Sequence, residues 1–128
     1  MVLFFDRDVG IALPNALDSL KLQIPIEYHQ RHFPIDSPDD EWMSEIGGRG
    51  WVLVGHDSRH HLEPAELSAI KQYSMGCFYL WGSEAKRWEK ALCFLRAYQR
   101  ILNAIAETPK PYIFRIGKNG GLANVRVP

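Results

Sequence analysis

Short apolar runs recur along this chain at a spacing that leaves room for a helix between successive runs. Runs of four or five mainly apolar residues have the length of buried strands. They predict four strands, at residues 2–5, 24–28, 51–54 and 77–81. The first run ends at Asp6, Arg7 and Asp8, as expected for a buried parallel strand whose carboxyl end carries polar residues.

Between these runs, apolar residues recur every three or four positions, which is typical of amphipathic helices. The spacing predicts helices at residues 11–22, 38–48, 64–73 and 83–107. In the last of these, Trp88, Phe94, Leu95 and Ile101 are expected to share one broad face toward the core. Strands that alternate with helices favour an α/β fold with a mostly parallel sheet of about four strands.

The end of the chain carries the signal of a hairpin. Residues 112–116 and 122–127 flank a turn, residues 118–121, whose two glycines allow the positive φ of a tight connection. We expect them to form a C-terminal strand pair. No repeat or linker divides the sequence, and 128 residues suit one domain. We therefore expect a single domain over residues 1–128.

Acidic residues follow two of the predicted strands directly. Asp6 comes after the first strand and Asp57 after the third, with Asp8 two residues beyond Asp6. Asp39 and Asp40 begin the second predicted helix. Because ligands of parallel sheets bind beyond the carboxyl ends of the strands, we expect these acids to meet at one rim. For Asp8, Asp39 and Asp40, ordinary turn and helix-start preferences are the alternative interpretation.

Clustered carboxylates repel one another, which raises their pKa values unless a cation offsets the charge. Oxygen-only ligands suit Mg²⁺ or Mn²⁺, and such an ion activates water and neutralises charge on a phosphodiester. The pattern therefore predicts a site for one of these two ions. The candidate metal ligands are Asp6, Asp8, Asp39, Asp40 and Asp57.

The charge is unevenly distributed, although the 15 basic and 15 acidic residues balance overall. Residues 1–66 contain twelve acids and five bases, whereas residues 67–128 contain three acids and ten bases. This asymmetry favours an acidic site beside a basic surface that attracts a polyanion. Ordinary dispersion of surface charge is the alternative.

Several protein classes are excluded by composition. No uncharged apolar run approaches the ~18 residues of a membrane span, and Asp6 interrupts the N-terminal apolar run too early for a signal peptide. The two cysteines, Cys77 and Cys93, are too few for a disulfide scaffold. We expect a cytoplasmic protein with reduced thiols and no membrane association.

Three sequence blocks resemble the PIN-like domain of VapC-type toxins. They are residues 4–8 (FFDRD), 38–42 (PDDEW) and 50–57 (GWVLVGHD), and their order matches that family through about residue 82. The resemblance implies a PIN-like sandwich and a metal-dependent ribonuclease neutralised by a cognate antitoxin. Matched by position, Asp6, Asp39 and Asp57 are the implied catalytic acids. Two positions depart from the common pattern, since Gly55 replaces a frequent threonine and Arg59 a frequent acid.

RNA is the substrate that this resemblance implies. Arg59 in the loop after the third strand, with Arg115 and Lys118 near the chain end, are candidate RNA contacts. Neutralisation of phosphates supplies most of the non-specific affinity for nucleic acids. A homodimer through the terminal strands is a further expectation, because an exposed strand edge must be covered or paired.

Two other functions account for part of the pattern. A PIN-like module that binds nucleic acid without catalysis is consistent with the departures at Gly55 and Arg59. A phosphorylation receiver also places acids after its first strand and an aspartate after its third. Residues 110–112 resemble the Lys-Pro-aromatic turn of receivers, but here that turn follows the longest helix instead of preceding a final one.

Overall fold

The protein is described by a computed structural model over residues 1–56 and 63–128. Two predicted site residues, Asp57 and Arg59, lie outside the described residues. The strands are β1 Leu3–Phe5, β2 Ile26–Tyr28, β3 Val52–His56, β4 Gly76–Leu80, β5 Tyr112–Ile116 and β6 Leu122–Val125. Across the described ranges they form one sheet in the order β2-β1-β3-β4-β5-β6.

The predicted α/β architecture is confirmed. β1 pairs in parallel with β3, with Leu3 opposite Val52 and Phe5 opposite Val54. β2, β4 and β5 continue the parallel arrangement, and β6 pairs with β5 antiparallel as the C-terminal strand pair. β5 therefore adds a further parallel strand to the four predicted ones.

Helices cover both faces of the sheet. They are α1 Ala12–Ser19, α2 His29–His32, α3 Asp39–Gly48, α4 Pro64–Gln72 and α5 Arg87–Glu107. Side chains alternate along each strand, so Leu3 and Phe5 of β1 pack toward α1 and α5, while Phe4 packs toward α3 and α4. In the described part of the chain, no helix is long and apolar enough to cross a membrane.

The prediction of one broad core face on α5 was wrong for two side chains. Phe94 and Ile101 are fully buried, but Trp88 is 63% exposed and Leu95 is 40% exposed. Neighbouring residues in an α-helix are separated by about 100° around its axis. Cys93 and Phe94 already span the buried side, so the next residue, Leu95, turns outward, and Trp88, two turns earlier, shares the outward side of Leu95.

His29 is a fully buried histidine that begins α2. Its ring packs edge-on against Trp42 and Phe4, at centroid distances of 5.3 and 6.3 Å. Neither ring nitrogen has a hydrogen-bond partner among the residues that the structure describes. Burial lowers the pKa of His29, so the folded protein favours the neutral form of this ring.

We expect acid to destabilise the wild type relative to a His29→Leu variant. The unfolded chain protonates His29 below about pH 6.5, whereas the folded chain resists protonation, so this contribution to stability is lost as the pH falls. Denaturant unfolding of both proteins at about pH 8 and about pH 5 measures the difference. If the difference in unfolding free energy between the two proteins does not change with pH, folding does not favour the neutral form of His29.

Candidate active site

Asp6 and Asp8 lie together where β1 ends. The backbone amide of Asp6 donates to the Val54 carbonyl of β3 at 2.9 Å, which continues the sheet by one residue. Asp6 Oδ1 then accepts the Arg7 amide at 2.6 Å and caps a 3₁₀ turn, Arg7–Val9. Asp8 Oδ2 accepts the His56 amide from the end of β3 at 3.4 Å. Backbone contacts with β3 thus place both acids at the carboxyl ends of two adjacent strands.

The two carboxyl groups share an unfavourable electrostatic environment. Burial raises the pKa of Asp6 to about 7, and the charge of Asp8 adds to this effect. The Asp8 side chain keeps contact with solvent, yet desolvation by the surrounding protein raises its pKa as well. Near neutral pH, ionisation of this pair is opposed by both burial and repulsion. A bound cation would offset both effects, and such perturbed groups concentrate at functional sites.

Arg7 joins the turn that bears these acids to the segment before α3. Its Nη1 donates to the carbonyl oxygens of Ile35 at 3.0 Å and Ser37 at 2.6 Å. Its Nη2 forms an ion pair with Asp39 Oδ1, which also accepts the Trp42 indole N–H at 3.1 Å. Arg7 and Trp42 therefore fix Asp39 at the same rim, through one of its two carboxylate oxygens.

The neighbouring acids Asp39 and Asp40 have different surroundings. The charge of Asp39 raises the pKa of Asp8, which places it within the electrostatic field of the rim. Asp40 Oδ1 instead accepts the hydroxyl of Tyr73, which follows α4, at 2.8 Å. The structure thus brings Asp6, Asp8 and Asp39 to one rim and directs Asp40 toward the end of α4.

Glu66 is an acid of this rim that the sequence pattern did not single out. It lies in the first turn of α4, and its Oε1 accepts the Tyr79 hydroxyl at 2.8 Å. Burial raises the pKa of Glu66, and the charges of Asp8 and Asp39 raise it further. The signal that marks Asp39, an acid in the first turn of a helix after a strand, was also present at Glu66.

A family model described as a PIN-like domain matches residues 1–82. This chain belongs to the PIN-like domain family. The match spans β1 to β4 and includes both Asp6 and Glu66. It indicates a nuclease-type module, and divalent metal ions typically serve hydrolysis in such domains. Comparisons with curated proteins and with solved structures gave no match.

Gly55 of this PIN-like domain makes room for Tyr79. A Cβ atom at Gly55 would lie 3.2 Å from Tyr79 Cε1 and 3.9 Å from Asp8 Oδ1. The tyrosine ring therefore occupies the space beside the position where threonine is frequent in related sequences. Since the Tyr79 hydroxyl donates to Glu66, the glycine and the tyrosine together orient an acid at the rim.

The acids of this PIN-like domain offer the donors that a hard divalent ion prefers, namely carboxylate oxygens. Asp6 Oδ2 accepts no hydrogen bond from residues 1–56 or 63–128. Over those same ranges, no three Asp, Glu, His or Cys side chains stand close enough together to hold a metal ion. Asp57, a predicted ligand, follows β3 outside the described residues. The donor chemistry of the described acids fits Mg²⁺ or Mn²⁺.

Two of the predicted RNA contacts lie near the same edge of the sheet. Arg115 is an exposed residue of β5 and pairs in register with Tyr79 of β4. Lys118 Nζ lies 5.6 Å from the centre of the Trp81 ring, a cation–π distance. Trp81 directly follows β4, so it and Lys118 lie at the carboxyl edge to which Asp6 belongs. The third predicted contact, Arg59, is outside the described residues.

Proposed function

We propose that this PIN-like domain is a metal-dependent ribonuclease that hydrolyses RNA phosphodiesters with Mg²⁺ or Mn²⁺. The observation that carries the proposal is that Asp6 and Asp8 lie together at the carboxyl end of β1, where the surrounding protein raises the pKa of both carboxyl groups. A module that only bound RNA would gain nothing from acids that repel phosphate. A hydrolytic metal site requires such acids.

Each acid has a proposed role. Asp6, Asp39 and Asp57 are the proposed catalytic acids, and with Asp8 they form the proposed metal-ligand set, whereas Asp40 is left out because its carboxylate accepts the Tyr73 hydroxyl instead. Glu66, oriented by the Tyr79 hydroxyl, adds negative charge to the same rim. A bound Mg²⁺ or Mn²⁺ supplies an activated water and neutralises charge on the phosphodiester. No side chain is assigned as a nucleophile.

The substrate would be held by cationic groups outside the acidic rim. The proposed contacts to RNA phosphates are Arg59, Arg115 and Lys118. Cationic side chains are suited to this role because neutralisation of phosphates supplies most of the non-specific affinity for nucleic acids. Trp81, beneath the Lys118 ammonium, offers an aromatic surface at the same edge. Stacking of a base on such a surface is sequence-tolerant and adds to binding.

We also propose that this enzyme is the VapC-type toxin of a toxin–antitoxin pair and acts on cytoplasmic RNA. Support comes from the family match and from an outward stripe on α5. Trp88 is 63% exposed, and Leu92 and Leu95 are each 40% exposed. An antitoxin with an apolar helix face would bury this stripe. A homodimer through β6, which pairs only with β5 among the described strands, is the other proposed assembly.

The test of the enzymatic proposal is cleavage of a structured RNA by the purified protein. We expect cleavage with Mn²⁺ and none with EDTA. A substrate with a 2′-deoxynucleotide at the cleaved position should be cut equally well, because water and not the 2′-hydroxyl is the proposed nucleophile.

Two outcomes would contradict the proposal. Loss of cleavage on the 2′-deoxy substrate would assign the attack to the RNA itself. RNA binding without cleavage, in both Mg²⁺ and Mn²⁺, would favour the non-catalytic binding module instead.

A further inference from the structure

A groove lies beside the acidic rim, between the 3₁₀ turn, the start of α1 and the start of α5. Its volume is about 570 Å³. Val9 and Gly10 form the wall next to the acids, Asn15 lies on α1, and Arg87 and Lys90 lie on the first turn of α5. The groove arises only in the folded chain, because it depends on the contact between α1 and α5.

The groove has a single sign of charge. Arg87 and Lys90 are the charged residues among the described side chains that line it. Neither of them forms an ion pair with any residue of the ranges 1–56 and 63–128. Two cations without counter-ions at a concave surface attract an anion.

The groove also adjoins the proposed site of hydrolysis. Val9 and Gly10 come directly after Asp8 in the chain, so the turn that carries the acid also forms the wall. On the other side of the groove, Lys90 lies on the first turn of α5, which packs against α1.

We propose that the groove binds an RNA backbone phosphate next to the phosphodiester that is cleaved, through Arg87 and Lys90. This inference rests on the proposed ribonuclease function. A scissile phosphate at Asp6 and Asp8 must be accompanied by neighbouring phosphates, which the acids themselves repel. The nearby cations of α5 offset that repulsion on one side of the site. Asn15 provides a neutral hydrogen-bonding group for the same nucleotide.

The test compares the double variant Arg87→Gln/Lys90→Gln with a control that loses the same charges elsewhere. The matched control is Lys71→Gln/Arg126→Gln, because Lys71 and Arg126 line a groove of about 430 Å³ at the opposite end of the sheet. Affinity for a fluorescent single-stranded RNA is measured by anisotropy in EDTA over a range of salt concentrations. Thermal unfolding checks that both variants are folded.

We expect the Arg87/Lys90 variant to bind RNA about tenfold more weakly at low salt and to lose about 0.7 from the salt-dependence slope, as for one phosphate contact on a single strand. The control variant should bind like the wild type. In a cleavage assay with Mn²⁺, the KM of the Arg87/Lys90 variant should rise while kcat stays close to the wild-type value.

The other results of the binding and cleavage assays each support or overturn the groove assignment. Unchanged affinity in the Arg87/Lys90 variant, equal losses in both variants, or no RNA binding by the wild type would overturn the groove assignment. Cleavage by the wild type with unchanged KM in the variant would reject the groove and leave the ribonuclease proposal standing. Groove-dependent binding without any cleavage would support the groove and reject the nuclease.

Discussion

Replacing Asp6 with asparagine is expected to reduce Mn²⁺-dependent RNA cleavage by about 100-fold or more, because one charge leaves the proposed metal site. Asparagine has nearly the same shape, and its carbonyl oxygen still accepts the Arg7 amide that Asp6 Oδ1 accepts now. The loss should therefore be electrostatic and not structural. Cleavage of one RNA by the wild type and the variant, at equal protein and Mn²⁺ concentrations, measures it.

The same substitution is expected to stabilise the metal-free protein. Burial raises the pKa of Asp6 from 3.8 to about 7, so keeping this group ionised in the folded state costs roughly 4 kcal/mol. The folded chain binds the proton more tightly than the unfolded chain, so this cost develops as the pH rises from about 4 to about 7. The gain from Asp6→Asn should accordingly be larger at about pH 8 than at about pH 5.

An Asp18→Asn variant controls for the removal of an acid elsewhere on the chain. Asp18 lies near the end of α1, so its replacement should leave cleavage unchanged. Mn²⁺ should raise the Tm of the wild type and of Asp18→Asn, but not that of Asp6→Asn. Equal cleavage by the wild type and Asp6→Asn would show that the activity comes from another site or another protein.

The arrangement of β1 and β3 was predictable because each strand contains a continuous apolar run, and the run of β1 ends at Asp6. That pattern places Asp6 at the carboxyl edge of the sheet with no further information. The C-terminal pair was predictable from the glycines of its turn, of which Gly120 adopts the positive φ of 86°. Features determined by a few consecutive residues were therefore accessible from the sequence.

Features that depend on the direction of a side chain were not accessible in this way. Asp39 and Asp40 are adjacent in sequence, and the ion pair of Asp39 with Arg7 and the hydrogen bond of Asp40 with Tyr73 distinguish the acid that faces the rim. The role of Glu66 depends on Tyr79, which reaches it from β4. Contacts between separate elements determine both results, and no local sequence pattern encodes them.

Glu66→Gln is expected to weaken Mn²⁺ binding by about tenfold and to reduce cleavage in proportion. Glu66 lies in the field of Asp8 and Asp39, and its partial burial limits the screening of its charge by water. Glutamine can still accept the Tyr79 hydroxyl through its carbonyl oxygen, so the substitution removes the charge and retains the contact. Titration of Mn²⁺, followed by the EPR signal of the free ion, gives the affinity directly.

Glu63→Gln is the matched control, because Glu63 directly precedes α4 and is exposed to solvent. Its removal should leave the Mn²⁺ affinity close to that of the wild type, since solvent screens exposed charges. Tyr79→Phe should weaken binding less than Glu66→Gln does, because the charge remains while its orientation is lost. If Glu66→Gln and Glu63→Gln bind Mn²⁺ equally well, Glu66 serves only as the hydrogen-bond partner of Tyr79. The metal would then be held by the aspartates alone.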